Sequence, residues 1–129
     1  MEYNKCSLLI CKDIIIEICK HLKDKDKLDL LSCNKILNTL KTYILFTSKI
    51  YINETILNLK YYNQFTNIIV NDVNIRLPFN TKCLTFGDGF NQNIKGEIPN
   101  SVTHLTLNRD FWKKNKKNIS KSIICSTFI

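Results

Sequence analysis

The chain has little of several residue types that decide fold and function. It contains no alanine, two arginines, two prolines and three glycines among 129 residues. It has no apolar run long enough to cross a bilayer and no signal-peptide pattern at its start. We therefore expect a cytoplasmic protein with no membrane partner. Because the cytosol is reducing, we expect the six cysteines to be free thiols.

The charge of the chain is strongly positive but poor in arginine. A formal net charge of +8 is typical of nucleic-acid-binding proteins. However, seventeen of the nineteen basic residues are lysine, and lysine, asparagine and isoleucine all have A/T-rich codons. Arginine, which is suited to bidentate contacts with bases and phosphates, is nearly missing. The lysine excess is accounted for by an A/T-rich gene, which argues against a nucleic-acid partner.

The C-terminal part repeats itself with a fixed period, the interval from Leu77 to Ile98. Leu77-Pro78 reappears as Ile98-Pro99 and, more weakly, as Ile119-Ser120. At the same spacing lie Leu84 and Leu105; Thr85, Thr106 and Thr127; Phe86, Leu107 and Phe128; and Phe90 and Phe111. A short fixed period of this kind predicts a solenoid, whose units bury their apolar faces by stacking. Such proteins mostly offer a binding surface, so the sequence favours a partner over a reaction.

The first half of the chain has helical periodicity. Asp13 is the predicted cap of a helix from Ile14 to Leu22, and Asp26 of a second helix leading to Cys33. A third helix is predicted from about Lys35 to Phe46. One face of the first helix carries Ile14, Ile15, Ile18, Cys19 and Leu22, and the second helix carries Leu28, Leu30 and Leu31. In the third helix the residues predicted to face inward are Ile36, Leu37, Leu40, Ile44 and Leu45. Three short helices predict a small bundle.

From Lys49 onward the apolar residues alternate, as they do in strands. Five short strands are predicted, at Ile50–Asn53, Asn67–Asn71, Cys83–Gly87, His104–Asn108 and Cys125–Phe128. The segment Asn53–Tyr62 is ambiguous and compatible with a connector helix. The first four of these strands end in asparagine or glycine, which is typical of a leucine-rich-type repeat.

In-register stacking would align two columns of side chains. Cys83, His104 and Cys125 form one column, and Thr85, Thr106 and Thr127 form the other, on the face opposite the buried residues. We expect this face to bind the target, through Cys83, Thr85, His104, Thr106 and Thr127. For the Cys-His-Cys column the alternative is a metal site or a pair of nucleophiles. Since no orienting carboxylate or fourth ligand is evident, we expect neither metal nor cofactor.

Two other features have competing interpretations. Trp112 lies among four lysines in the segment 112–117, which predicts a solvated loop, with an RNA-stacking tryptophan as the weaker alternative. Four cysteines and His21 lie between Cys6 and Cys33, but without the paired spacing that brings four ligands to a zinc ion. We therefore expect them to be structural thiols.

Residues 77–129 resemble FNIP repeats. The resemblance is carried by Leu77-Pro78, Phe90-Asn91 and above all by the string Ile98–Thr106. The family occurs in social amoebae and in large DNA viruses of amoebae. The resemblance implies a short leucine-rich-like solenoid of two units and a partial third.

Residues 10–35 are similar to the F-box that often precedes such repeats. The pattern consists of Ile10–Asp13, the helix Ile14–Leu22, a polar turn at Asp24–Lys27 and a leucine-rich stretch up to Lys35. Cys11 replaces the usual proline, and Leu37 a common aromatic residue. The resemblance implies that a Skp-type adaptor binds at Ile10, Cys11, Ile14, Ile18, Leu22, Leu28 and Leu31. The alternative is that these residues pack against the repeat block.

The sequence as a whole predicts an α+β protein. Residues 1–48 would form an F-box-like three-helix module, 49–76 a connector with short strands, and 77–129 the FNIP repeats. The expected function is a non-enzymatic substrate-recognition subunit of a cullin–RING ubiquitin ligase, with the adaptor and an unknown target protein as partners. The alternative is a stand-alone repeat protein that binds or sequesters a host protein. No catalytic motif or small-molecule substrate is indicated.

Overall fold

A computed structural model describes residues 5–72, 75–94 and 98–129, except for the side chains of residues 5–10 and 125. The chain divides into two compact units, Met1–Leu45 and Phe46–Ile129, which we call the N-terminal and C-terminal units. Helices and parallel strands are both present, so the α+β class is confirmed. The division falls between Leu45 and Phe46, three residues before the predicted boundary.

The described part of the N-terminal unit contains three α-helices. They are α1 (Lys5–Lys20), α2 (Asp24–Ser32) and α3 (Lys35–Thr39), and a 3₁₀ helix at Leu40–Tyr43 follows α3 directly. The amide oxygen of Asn34 caps α3 by accepting a hydrogen bond from the Leu37 N–H at 2.9 Å. The 3₁₀ helix ends where Ile44 adopts an extended backbone, with φ −117° and ψ 127°.

Several predicted helix limits in this unit are wrong. α1 begins at Lys5, so Asp13 lies in its middle and caps nothing. α2 begins at Asp24, two residues before the predicted cap Asp26, which lies in its first turn. The third helix stops near Tyr43 instead of Phe46. α2 begins at Asp24, which pairs with Lys27 in the same turn, and the third helix gives way to the extended backbone of Ile44; apolar periodicity reveals neither.

The core of the N-terminal unit is small and partly polar. Among the side chains that the structure describes in this unit, four apolar ones are buried, Cys19, Leu31, Leu40 and Ile44. Lys27, which is also buried, forms an ion pair with Asp24 (Nζ to Oδ1, 2.8 Å) and donates to the Leu45 carbonyl at 3.0 Å. Two residues predicted to face inward, Ile36 and Leu45, are instead 60% and 47% exposed.

The C-terminal unit is built on a five-stranded parallel sheet. Its strands are β1 (Ile50–Tyr51), β2 (Asn67–Val70), β3 (Cys83–Phe86), β4 (His104–Leu107) and β5 (Cys125–Phe128). Their spatial order is their order in the chain, β1-β2-β3-β4-β5. Every predicted strand is therefore present, and all five belong to one sheet.

The register of the sheet reproduces the period of the sequence. Leu84 is paired with Leu105 and Leu105 with Ser126, each exactly one repeat period further along the chain. The offset is shorter at the other edge, where Ile50 is paired with Ile68 and Ile68 with Leu84. Residues 49–76, predicted as a connector, thus supply two more strands of the same stack.

Burial alternates along the strands. In β2 and β3 every second residue is buried, namely Ile68, Val70, Leu84 and Phe86, and β4 buries Leu105 and Leu107. Phe90 and Phe111, which occupy the same position in successive repeats, close this core with ring centroids 5.2 Å apart and edge to face. The inward side chains of β2, β3 and β4 therefore form continuous apolar columns.

The repeat heads also share a turn. The N–H of Thr81 donates to the Pro78 carbonyl, that of Val102 to Pro99 at the same 3.1 Å, and that of Ile123 to Ser120 at 3.3 Å. These three hydrogen bonds follow one another at the repeat period. Proline is compatible with this position because it has no N–H to satisfy there.

Short helices occupy two connections. α4 (Glu54–Leu57) and a 3₁₀ helix at Tyr62–Gln64 lie between β1 and β2. Between β4 and β5 lie α5 (Arg109–Asn115) and a 3₁₀ helix at Lys116–Asn118. The predicted loop at residues 112–117 is therefore wrong. Asn108 starts α5 by accepting a hydrogen bond from the Phe111 N–H at 2.7 Å, a cap that the sequence analysis overlooked.

Candidate protein-interaction surfaces

The outer face of the sheet carries the two predicted columns. Cys83 is paired with His104 and His104 with Cys125, while Thr85 is paired with Thr106 and Thr106 with Thr127. We call these the His column and the Thr column. The side chain of Cys125 lies outside the part of the chain that the structure describes.

The outer-face side chains are accessible to different degrees. His104 and Thr127 are exposed, whereas Cys83, Thr85 and Thr106 are half-buried between their strand neighbours. The ring Nδ1 of His104 is hydrogen-bonded to the Thr103 hydroxyl at 2.9 Å, which fixes the ring and leaves Nε2 for a partner. This face thus presents hydroxyl, imidazole and thiol groups at the regular spacing of the strands.

The sequence analysis missed the N-terminal extension of both columns. Ile69 is paired with Thr85, and Tyr51 with Ile69, so the Thr column continues into apolar residues. Asn67 extends the His column in the same way. The alternation in Ile50-Tyr51-Ile52 and in Ile68-Ile69-Val70 was the available clue, but the shorter spacing hid it. The Thr column therefore begins with Tyr51 and Ile69 on β1 and β2 and consists of threonine on β3, β4 and β5.

The N-terminal unit has an exposed stripe on α1. Cys11, Ile14 and Ile18 are all exposed, the isoleucines by 54% and 43%. Positions three and four apart lie on one side of a helix, so the three side chains form a single stripe. Beside them, a hydrogen bond from Lys20 (Nζ to Oε2, 2.5 Å) lowers the pKa of the Glu17 carboxyl.

The other predicted adaptor-binding residues are less accessible. Leu22 and Leu28 are half-buried, and Leu31 is fully buried at 0% exposure. Leu31 therefore packs in the core of the unit and has no surface to offer a partner. The side chain of Ile10 is outside the described part of α1.

The described cysteines are free thiols. Cys11, Cys19, Cys33 and Cys83 form no disulfide. Burial raises the pKa of the Cys19 thiol, so Cys19 stays protonated and weakly nucleophilic. Among the side chains that the structure describes, no three His, Cys, Asp or Glu residues come together as they would around a metal ion.

A helix must be both long and apolar to cross a bilayer. Within residues 5–72, 75–94 and 98–129, no helix combines the length and the apolar character that crossing a bilayer requires.

The comparisons with known proteins agree with the repeat register. The family model of the FNIP repeat matches the chain twice, at residues 73–110 and 90–119. The chain matches no curated protein and no solved structure. The FNIP resemblance is therefore confirmed for residues 73–119, whereas the F-box resemblance stays a prediction. The FNIP match indicates a repeat-based protein-interaction domain.

Proposed function

We propose that this protein is a non-enzymatic adaptor that holds a Skp-type subunit of a cullin–RING ubiquitin ligase with its N-terminal unit and a target protein with its repeats. The observation that carries the ligase part is the exposed apolar stripe on α1. Ile14 and Ile18 are large, apolar and accessible in a unit whose core is already formed by other residues. Exposed apolar patches mark protein interfaces.

The C-terminal unit supports the target-binding part of the proposal. Its five parallel strands follow one another in chain order, and we interpret them as a short leucine-rich-like solenoid. The outer face, with Cys83, Thr85, His104, Thr106 and Thr127, is the proposed target surface because regular solenoids bind partners on such faces. The protein then acts in the cytoplasm by raising the effective concentration of the target near the ligase.

Co-purification with a Skp-type adaptor tests the ligase role. The variant Ile14→Asp/Ile18→Asp puts two carboxylates into the exposed stripe without entering the core. We expect the wild type to retain the adaptor and the variant to lose it, with a decrease in affinity of at least about tenfold. A matched control is Ile124→Asp/Ile129→Asp, which changes two isoleucines of the C-terminal unit that are 80% and 57% exposed. Retention by all three proteins, or by none, contradicts the role.

A stand-alone repeat protein that binds or sequesters a host protein is the second candidate. One observation favours it. α1 runs through Cys11 without a break, whereas the F-box pattern has a leucine-proline pair at this point, where proline would start the helix. If the wild type binds no adaptor but its repeats still hold a partner, this second function replaces the first.

The target surface is tested separately. The variant His104→Asp/Thr106→Asp introduces negative charge on the outer face. The control variant Lys49→Asp/Lys60→Asp introduces negative charge at two other exposed positions of the C-terminal unit. Proteins that co-purify with the wild type are titrated against each variant, and the affinities are compared. We expect only the first variant to weaken binding, and equal affinities would remove the outer face from the proposal.

A further inference from the structure

Positive charge is concentrated in the connection between β4 and β5. Residues 109–118 contain five of the nineteen basic residues and one of the eleven acidic residues, so this short segment holds half of the net charge of +8. An A/T-rich gene accounts for the number of lysines in the chain, but it does not specify where along the chain they lie. All five basic side chains, Arg109, Lys113, Lys114, Lys116 and Lys117, are exposed. The acidic residue, Asp110, is 3.6 Å from Lys113 (Oδ1 to Nζ) and offsets one charge.

A cavity lies beside this cluster, at the carboxyl ends of β3, β4 and β5. Its volume is about 370 Å³, within the range of ligand pockets. Apolar atoms come from Phe90, Phe111 and Ile129, and basic groups from Arg109 and Lys114. Asp88 and Asp110 also line the cavity, and Asp110 is the ion-pair partner of Lys113. The five basic side chains and these two acidic ones together leave a net charge of +3 around the cavity and along the helical segment.

We propose that this cavity and the adjoining lysines form a docking site for an acidic polypeptide segment that carries one apolar anchor residue. The anchor enters the cavity against Phe90, Phe111 and Ile129. Carboxylates on either side of it meet Arg109, Lys114 and the lysines that follow. We call this region the basic pocket. It lies apart from the outer face of the sheet, and it rests on the proposed function only in that the repeats bind a polypeptide.

The surroundings favour a polypeptide over other anions. Trp112, the chain's single tryptophan, packs edge to face on Phe128 with ring centroids 5.8 Å apart, so its ring is not free to stack on an RNA base. The Arg109 guanidinium lies 5.8 Å from the centroid of the same Phe128 ring. A second copy of this chain would bring like charges together. Charge complementarity therefore selects an acidic partner, and the cavity selects its apolar side chain.

Fluorescence anisotropy with synthetic peptides tests the basic pocket on the full chain. Three short labelled peptides serve as probes. The first is acidic around a central leucine, the second has serine in place of this leucine, and the third has glutamine in place of every acidic residue. We expect the wild type to bind the first peptide about tenfold more tightly than either of the others. Its affinity should fall as salt increases.

Two variants remove the two halves of the site. Gly89 lines the cavity, and a Cβ added there meets no atom within 4 Å, so Gly89→Phe obstructs the cavity without a steric clash at the backbone. Lys116→Glu/Lys117→Glu reverses part of the charge. Each should weaken binding of the acidic leucine peptide about tenfold. Lys49→Glu/Lys60→Glu, which reverses two exposed charges outside the basic pocket, is the matched control and should bind like the wild type, with the folding of every variant checked by circular dichroism.

Four outcomes would overturn the proposal. They are no binding of the acidic leucine peptide, equal binding of all three peptides, unchanged binding by Gly89→Phe, and displacement of the peptide by oligouridylate or phosphatidylserine vesicles that bind more tightly. Adaptor co-purification is measured on the same variants. Because Gly89 and Lys116 are outside the N-terminal unit, failure of the basic pocket leaves the adaptor result unaffected, and the two proposals fail separately.

Discussion

The two units of this protein stabilise their folds in different ways. Of the eighteen buried apolar residues that the structure describes, fourteen belong to the C-terminal unit and four to the N-terminal unit. In the C-terminal unit six of them lie on β2, β3 and β4, in register from strand to strand. The N-terminal unit instead places Asp24, Lys27 and Lys41 among its buried residues. Repetition lets one apolar pattern form a core many times, whereas a small helical unit depends on individual polar contacts.

We expect the largest loss of stability from a substitution in the buried apolar columns of the C-terminal unit. Leu105 is 1% exposed and stands between Leu84 and Ser126 in the register. Leu105→Ala should lower the free energy of unfolding by about 2–5 kcal/mol, since it removes buried methyl groups and leaves a cavity. Urea unfolding followed by the fluorescence of Trp112, the only tryptophan, reports on this unit alone. Thr106→Ala, on the outer face of the same strand, is the control, and a loss equal to that of Leu105→Ala would contradict the inward and outward assignment.

We expect a somewhat smaller loss of stability from a substitution in the polar core of the N-terminal unit. Lys27→Met removes the ion pair with Asp24 and the hydrogen bond to the Leu45 carbonyl. Stability should fall by about 1–3 kcal/mol, because Asp24 then keeps a buried charge without its lysine. Far-UV circular dichroism in urea measures the change. Asp24→Asn/Lys27→Met should recover part of the loss, and a single variant as stable as the wild type would show that the pair contributes nothing.

The strands could be predicted from the sequence to a far greater extent than the helices. All five strands follow from alternation and from the repeat period, because every strand of the stack must alternate inward and outward residues in the same way as its neighbours. Helix limits were missed at Asp13, Asp26 and Phe46, since apolar periodicity marks the face of a helix and not its ends. α5 was missed for a related reason: its lysines suggested a loop, and the Asn108 cap was overlooked.

The candidate surfaces were predictable to different degrees. The His and Thr columns follow from periodicity and needed only the register. Which α1 residues are exposed does not follow from periodicity, because Ile14 and Ile18 share their helix with buried Cys19 and carry the same apolar pattern. The cavity of the basic pocket is lined by residues 88–91, 108–111, 114 and 129, whose proximity depends on the turns that follow three strands.

A third and smaller effect concerns a buried hydroxyl in the C-terminal unit. The Tyr62 hydroxyl donates a hydrogen bond to the Arg76 carbonyl, and burial raises the pKa of Tyr62 to about 12. An unfolded tyrosine has a pKa of about 10. Because the folded state holds this proton more tightly, the contribution of Tyr62 is complete below about pH 10 and is lost as the pH rises through about 12.

The comparison of wild type with Tyr62→Phe measures this contribution. At neutral pH the wild type should be more stable by about 1 kcal/mol, the usual net value of a hydrogen bond. The advantage should shrink as the pH rises above about 10. Urea unfolding at a series of pH values, followed by Trp112 fluorescence, checks the trend. An advantage that grows with pH would reverse the sign and contradict the assigned burial of this hydroxyl.

The in-register parallel stack is the central claim, and nuclear Overhauser spectroscopy of the isotope-labelled protein tests it most directly. Parallel strands bring backbone protons of paired residues within a few ångströms. We predict cross-peaks that link Thr85 to Thr106 and Thr106 to Thr127, with a further link from Ile69 to Thr85. The absence of contacts at the offset of one repeat period, or a series in which one residue number falls as the other rises, would contradict the account.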